Sequence, residues 1–202
     1  MGKGEQTRSL ILDEALSLAS QVGLEGLTIG ALASRLELSK SGLFAHFGSK
    51  EGLQLLTLKR AQALFQDQVF PTASTQAPGL PRLRALFSNW LASIEQSDDP
   101  TAGACLILSA SAEYDDRPGA VRDALVAGQR ELRGAIAKAI RLAVDEGHLA
   151  PATDPWQLSF ELFGIALAAH HDRRLLQDTR AVARAKDAFE RLIQAHQPSA
   201  NA

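Results

Sequence analysis

The sequence predicts an all-α protein of about nine helices. Apolar residues recur at the i, i+3, i+4, i+7 spacing of a helical stripe from one end to the other, and no segment sustains the period-2 alternation of β-branched residues that a strand needs. Punctuation supplies the third observation. Gly23, the stretch from Pro71 to Gly79, Asp98-Asp99-Pro100, the turn from Asp115 to Gly119 and the stretch from Gly147 to Pro155 divide the chain into helix-sized pieces.

Composition sets bounds on the function. With 202 residues, 46% apolar and 22% charged, the chain is neither disordered nor fibrous. It has room for one compact core and a small appended domain. One cysteine, Cys105, excludes an internal disulfide and fits a reducing compartment. The N-terminus lacks the apolar core of a signal peptide, and no run approaches the roughly 20 apolar residues that cross a bilayer. We therefore expect a soluble, cytoplasmic protein. The formal charge is −2; residues 1 to 60 hold seven Lys/Arg against six Asp/Glu, and the remainder fourteen against seventeen. So weak a bias implies few phosphate contacts per subunit if the partner is a nucleic acid.

Helix one, from 5 to 22, aligns Ile11, Ala15, Leu18 and Val22, and Gly23 suits its C-cap. Thr28 can cap a second helix with Ile29, Leu32, Ala33 and Leu36 on one face. Glu37-Leu38-Ser39 makes a tight turn, Ser39 can cap a third helix, and Leu43 and Phe47 form its inward i, i+4 pair. Lys40, Ser41, Gly42, Ala45 and His46 then face outward. This spacing describes a helix-turn-helix, whose second helix offers its N-terminal residues to the major groove. Gly48-Ser49 ends that helix, and Ser49 can cap a fourth carrying Leu53, Leu56, Leu64, Phe65 and Val69 toward Pro71. The proline-bracketed stretch to Gly79 is expected to be a loop.

The fifth helix, from Leu80 to Gln96, carries Leu83, Leu86, Phe87, Trp90, Leu91 and Ile94. A sixth is expected from Ala102 to Tyr114, and a long seventh with Val121, Leu125, Leu132, Ile136, Ile140 and Val144. From Trp156 to Ala169, Glu161 is the only ionisable residue, and Trp156, Leu158, Phe160, Leu162, Phe163, Ile165 and Leu167 point all round the helix. A helix apolar on every side needs cover on every side. A second subunit is the economical cover, joined by the ninth helix, Arg180 to Gln197, with Val182, Ala185, Phe189, Leu192 and Ile193. We expect a homodimer in which these two helices pack about a two-fold axis, with Trp156, Phe160, Phe163, Leu167, Phe189, Leu192 and Ile193 at the interface.

The first 60 or so residues resemble the DNA-binding domain of the tetracycline-repressor (TetR) family of bacterial regulators. The matching frame is Arg8, Ile11, Ala15, Gly23, Thr28, Ile29, Ala33, Leu38-Ser39, Gly42-Leu43-Phe44, His46-Phe47, Ser49-Lys50-Glu51 and Leu53. The family commonly has Tyr where this chain has Phe44, a position whose hydroxyl binds a DNA phosphate; Phe44 keeps the packing and loses that donor. Ala45 offers only a methyl surface, suited to a thymine methyl group. The resemblance implies a helix-turn-helix domain over 1–52, with a linking helix continuing to about 70. It also implies a helical-bundle domain for effector binding and dimerisation over 53–202.

For DNA contact the expected residues are Thr28, Ser39, Lys40, Ser41, Gly42, Phe44, Ala45, His46 and Lys50. Lys40 can reach a guanine edge or a phosphate and Gly42 permits close backbone approach, while groups at helix ends can meet phosphate oxygens. Arg8 is a weaker candidate. The resemblance also implies an effector pocket, for which Phe87, Trp90, Cys105, Tyr114, Phe160, Phe163 and His170 are candidates, with simple core packing the alternative for each. Trp156, Glu113 and Gln129 are secondary candidates. Cys105, amid apolar neighbours, reads as a buried small hydrophobe rather than a sensor. Adjacent His170 and His171 point about 100° apart on a helix and do not chelate one ion, so neither metal nor cofactor is expected. An enzyme would need a base held against a nucleophile, and no spacing provides one. The expected partners are double-stranded DNA carrying a pseudo-palindromic operator, a second copy of the chain, and a small-molecule effector. Repression, activation and effector-promoted binding remain open.

Overall fold

The computed structural model describes residues 3–96 and 103–198, with side chains over 7–96 and 106–198. Among these residues there are nine α-helices and no strand. They are α1 (Lys3–Val22), α2 (Ile29–Leu36), α3 (Lys40–Phe47), α4 (Lys50–Ser74), α5 (Leu80–Glu95), α6 (Gly103–Glu113), α7 (Ala120–Asp145), α8 (Pro155–Arg174) and α9 (Ala181–Ala195). No helix among the described residues is long and apolar enough to cross a membrane.

The helix ends follow from the cap residues. Thr28 Oγ1 accepts from the Ala31 N–H at 3.1 Å, and Ser39 Oγ from that of Gly42 at 3.1 Å. Ser49 Oγ accepts from Gly52 N–H at 2.9 Å, and Asp154 Oδ1 from Trp156 and Gln157 N–H at 2.8 and 3.2 Å. Each satisfies donors that a first helical turn leaves without partners, and each is worth about 0.5–2 kcal/mol. Gly79, before α5, has φ 85°, and a Cβ there would lie 2.5 Å from His148 Nδ1. That nitrogen lies 3.3 Å from the Leu80 N–H donor at the start of α5.

Two expectations need correction. Pro71 does not end the fourth helix: α4 runs on to Ser74. Asn89 Nδ2 donates to Val69 O at 2.9 Å and to Thr72 Oγ1 at 2.8 Å, while Ala73 is fully buried. These interactions hold the extra turn even though proline removes one N–H. Val22, assigned to the inward stripe of α1, is 50% exposed, because it sits at the helix end where the chain turns at Gly23.

The chain divides into two compact units. The first comprises the described residues of Met1–Phe65 and Asp98–Gly128: α1 to α3, the start of α4, α6 and the start of α7. Its core joins Leu16, Leu24, Leu32, Leu43, Phe47, Leu53 and Leu58 to Leu106, Ala110, Val121 and Leu125. Arg60 binds Asp13 at 2.8 Å, and Arg35 binds Glu14 and Ser17 at 3.0 Å each, bracing α1 against α4 and α2.

The second unit comprises the described residues of Gln66–Ser97 and Gln129–Ala202, with α5, α8 and α9 packed on the remainders of α4 and α7. Phe87 stacks on Phe189, with centroids 4.6 Å apart and planes 13° apart, and meets Trp90 edge-on at 6.2 Å. Trp90 in turn packs at 5.9 Å against Phe163, whose ring lies 4.1 Å from the Arg133 guanidinium carbon. Such aromatic contacts add about 0.5–1.5 kcal/mol each beyond area burial.

Candidate functional site

The N-terminal candidates converge on one surface of the first unit. In α3 only Leu43 and Phe47 are buried, at 1% and 6% exposure. Ser39, Lys40, Ser41, Gly42, Phe44, Ala45 and His46 are all exposed, because the buried i, i+4 pair turns the rest of an eight-residue helix outward. The α2–α3 turn is closed by Glu37 in the left-handed region, φ 54°, and by the Leu38 N–H donating to Ala33 O at 3.0 Å. The Glu37 N–H donates to the same carbonyl, and this left-handed ending fixes the exit direction of the chain.

A Cβ on Gly30, in the first turn of α2, would stand 3.7 Å from Lys40 Nζ. The lysine thus lies beside the capped N-terminus of α2, where a phosphate would meet an ammonium and free backbone N–H groups together. His46 is exposed, its ring 6.3 Å from that of Phe47. Phe44 shows 57% of its surface. Arg8 is exposed as well.

Lys50 is held differently. Its ammonium donates to Glu25 Oε1 at 2.8 Å, which leaves two of its three N–H donors for other acceptors. Glu25 is a hub: the Tyr114 hydroxyl donates to Oε2 at 2.8 Å, and Arg117 lies 3.6 Å from the same oxygen. Glu113 Oε2 accepts from the Glu25 N–H at 2.9 Å. Gly23 makes room for this arrangement, with φ 80° and a Cβ position 2.6 Å from Glu113 Oε1. The hydrogen bonds from Lys50, then Tyr114, hold the Glu25 carboxyl below its ordinary range. Burial, then donation to Glu25, drives the Tyr114 phenol well above its own.

Tyr114 therefore requires a correction. It was expected in an effector pocket, but it belongs to the first unit, and its single hydroxyl proton is engaged by Glu25. Glu113, a secondary candidate for that pocket, likewise belongs to the first unit, where it accepts from the Glu25 N–H; Glu25, Arg117 and Arg35 were not singled out from the sequence. The polar partners that tie them together lie 14 to 92 positions away, and no local spacing signals them.

In the second unit, Val69, Phe70, Leu83, Leu86, Phe87, Trp90, Leu132, Ile136 and Leu162 line a narrow apolar crevice whose cavity volume is about 10 Å³. Phe87 and Trp90 line it as expected, and Phe163 touches Trp90 from behind. Phe160 does not line it, because it is 61% exposed on the outer side of α8. His170 is half-buried with no hydrogen-bond partner for Nε2 among the described residues, and burial, reinforced by Arg174 and His171, pushes its pKa down to about 4. Gln129 belongs to the same unit, and Cys105 has its side chain outside the described residues. No group of three or more His, Cys, Asp or Glu able to hold a metal occurs among the described residues.

The expected interface residues fall into two sets. Trp156, Phe160 and Leu167 are exposed, at 57%, 61% and 45%, along one seam of α8, with Gly164 open between them. Phe163 and Leu192 are half-buried. Phe189 and Ile193 are buried inside the unit at 4% and 0%, which corrects their assignment as contact residues. The stripe of α9 faces its own α5 and α8, so these two side chains support the surface from beneath.

Residues 11–55 match the family described as bacterial regulatory proteins, tetR family, and residues 79–189 match the tetracyclin repressor-like C-terminal domain. No curated protein matches the chain. Among solved structures, the chain is similar to a TetR transcriptional regulator from Chloroflexus aurantiacus J-10-FL, with 23% identity, 96% of each chain covered and a TM-score of 0.84. It is similar to AibR in complex with isovaleryl coenzyme A and operator DNA, with 21% identity over 94% of this chain and 97% of that one, and a TM-score of 0.74. A regulator from Saccharomonospora viridis in complex with choline shares 20% identity over 94% and 96%, with a TM-score of 0.78. At such identities the structural likeness establishes the fold, while the match over 79–189, more than half the chain, joined to the helix-turn-helix match at 11–55, establishes descent. The chain belongs to the TetR family of transcriptional regulators and carries its DNA-binding domain.

Proposed function

We propose that this regulator is a homodimeric, cytoplasmic repressor, without enzymatic activity, that leaves its operator when a small molecule binds its C-terminal domain. The observation that carries the reading is the outer face of α3, where every residue from Ser39 to His46 except Leu43 is exposed. Lys40, Ser41 and Gly42 read base edges or the adjoining phosphate, and Phe44 and Ala45 give an apolar surface to thymine methyl groups. Thr28, Ser39, His46 and Lys50 position the helix on the backbone. With few free cations, one head binds weakly, and two heads about 34–36 Å apart on a pseudo-palindrome supply the affinity.

The α8 seam of Trp156, Phe160 and Leu167, flanked by Phe163 and Leu192, supports the dimer. A solvated row of large apolar side chains marks an association surface. The functional division falls as the family implies, with 1–52 reading DNA and 53–202 binding effector and partner. AibR is held with operator DNA and an acyl coenzyme A, and the S. viridis regulator with choline; effector control in this chain extends that pattern, with Phe87, Trp90 and Phe163 as the pocket aromatics. Release requires an effector that favours the non-binding conformation by about 1–3 kcal/mol, which lowers operator affinity roughly 5- to 150-fold.

Footprinting of the purified protein on the promoter of its own gene and its neighbours tests the reading. A protected pseudo-palindrome is expected, with raised expression of the adjoining gene in a deletion strain. Absence of any selected site in random duplex DNA would remove DNA reading. Lowered expression on deletion would replace repression by activation.

A further inference from the structure

The Lys50 side chain is more ordered than its place on the surface requires. It is exposed at the first residue of α4, where a lysine ordinarily samples many rotamers, and fixing such a chain on a phosphate costs up to about 13- to 30-fold in affinity. Here the fixing is already done. The ammonium lies on Glu25 Oε1 at 2.8 Å and keeps two N–H donors for a further acceptor.

Glu25 can serve as a support because it is itself held. Its Oε2 accepts from the Tyr114 hydroxyl at 2.8 Å and lies 3.6 Å from Arg117. Its N–H donates to Glu113 Oε2 at 2.9 Å, and its carbonyl and that of Leu24 accept from the Gln54 amide at 3.4 and 2.8 Å. Tyr114 and Gln54 are both buried, so these braces belong to the core rather than to a mobile surface. The fully buried Leu24 and Leu27 fix the loop on either side of Glu25. A buried ring, a carboxylate and an ammonium thus form one fixed series, with 2.8 Å at each link.

The same carboxylate also brings a negative charge toward DNA, and the two effects have opposite signs. Two acceptors on one ammonium stand about 5 Å apart, where like charges in water lower affinity roughly fourfold before salt screens them. Arg117, beside Oε2, offsets part of that repulsion. Prior ordering of the lysine is the larger effect. The net gain is about threefold or more for each DNA-reading head, and about tenfold for two heads on one operator.

We infer that Glu25 is a positioning residue for DNA binding: braced by Tyr114 and Arg117, its carboxylate holds the Lys50 ammonium in place for a DNA phosphate. The inference rests on the phosphate contact proposed for Lys50. It adds that a tyrosine just past α6, outside the helix-turn-helix, sets how firmly that contact is made.

The test uses the full-length chain and the duplex that it selects from random DNA, with dissociation constants measured across salt concentrations. Lys50→Ala is expected to weaken binding and to reduce the salt slope by about one per head. Glu25→Ala should weaken binding about tenfold and Tyr114→Phe, which removes a single oxygen, about threefold, each with a cooperative thermal melt. In the Lys50→Ala background neither should weaken binding more than about twofold, because a positioning residue then has nothing left to position. Tyr114→Phe carries the test alone if Glu25→Ala does not fold. Tighter binding by Glu25→Ala would mark its carboxylate as a repulsive charge and overturn the inference. So would unchanged affinity in the variants that fold, or a loss of equal size with and without Lys50, which is what a purely structural role gives. Lys50→Ala separates the two readings. If it weakens binding while the other variants do not, the inference alone fails; if it changes neither affinity nor slope, the phosphate contact fails and the inference with it. Selection of no duplex removes DNA reading and the inference together.

Discussion

The outer faces of α3 and α8 are both left uncovered by their own unit, and they are opposites. In α3 the uncovered residues are small or polar, with Phe44 the one large exception. In α8 they are Trp156, Phe160 and Leu167, set around Gly164. A surface of the first kind tolerates water and suits a hydrated, charged polymer, whose recognition runs through hydrogen bonds and bridging solvent. The second kind is satisfied by the removal of water, and a matching seam achieves that most fully. Two uncovered helices on one chain thus point to two unlike partners.

Changes to one face that spare the other will test that contrast. The largest effect is expected from Phe160→Glu, which places a charge on the α8 seam. It should yield a folded monomer in analytical ultracentrifugation and a loss of operator affinity of about 10²–10⁴-fold, the range that joining two modules confers. A variant that stays dimeric would remove α8 from the interface. Phe47→Ala acts from beneath α3. It should cost about 3–5 kcal/mol in denaturant unfolding, and DNA binding should fall with the folded fraction.

The next effect belongs to the second unit and runs through pH. His170 is held neutral, with a pKa of about 4 against an ordinary 6.5. The unfolded chain takes up a proton as pH falls below 6.5 and the folded chain does not, so stability is present above 6.5, declines down to about 4, and is level below that. Between pH 7 and pH 5 the loss is about 2 kcal/mol. In His170→Leu the fall measured by urea unfolding over that interval should shrink by this amount, and an unchanged fall would show that His170 protonates freely in the folded protein. The smallest effect is expected from Lys40→Ala, about 1–2 kcal/mol of operator affinity with the dimer intact and the salt slope reduced by about one. Loss of the dimer instead would assign Lys40 a structural role.

What could be read from the sequence divides along the same line. The α2–α3 element was fully legible because everything that defines it is local: Thr28 and Ser39 cap within three residues, and Leu43 and Phe47 pair across one turn. The seam of α8 was legible in kind, since an all-round apolar helix must find cover, but the sequence could not show which side its own unit already covers. Hence Phe189 and Ile193, on the apolar stripe of α9, were expected outside and are found inside. Pro71 misled because the turn beyond it is held by Asn89, eighteen positions further on. Tyr114 misled because its partner Glu25 is 89 positions away, beyond the reach of any periodicity.

That last separation bears on how the protein is made. Glu25 receives Lys50, Tyr114 and Arg117, and the core beneath it takes Leu106, Ala110, Val121 and Leu125 from the second segment of the first unit. At about 5–20 residues per second, translation needs roughly 2–10 s to pass from Phe65 to Tyr114. The first helices to leave the ribosome are therefore not the first to be complete. A newborn DNA-reading head waits, its loop carboxylate without the tyrosine and its core without four side chains, until the regulatory half has begun to emerge. A truncated product that ends before α6 would carry α2 and α3 in full yet lack part of the core that holds them, and such a fragment is a poor competitor for the operator.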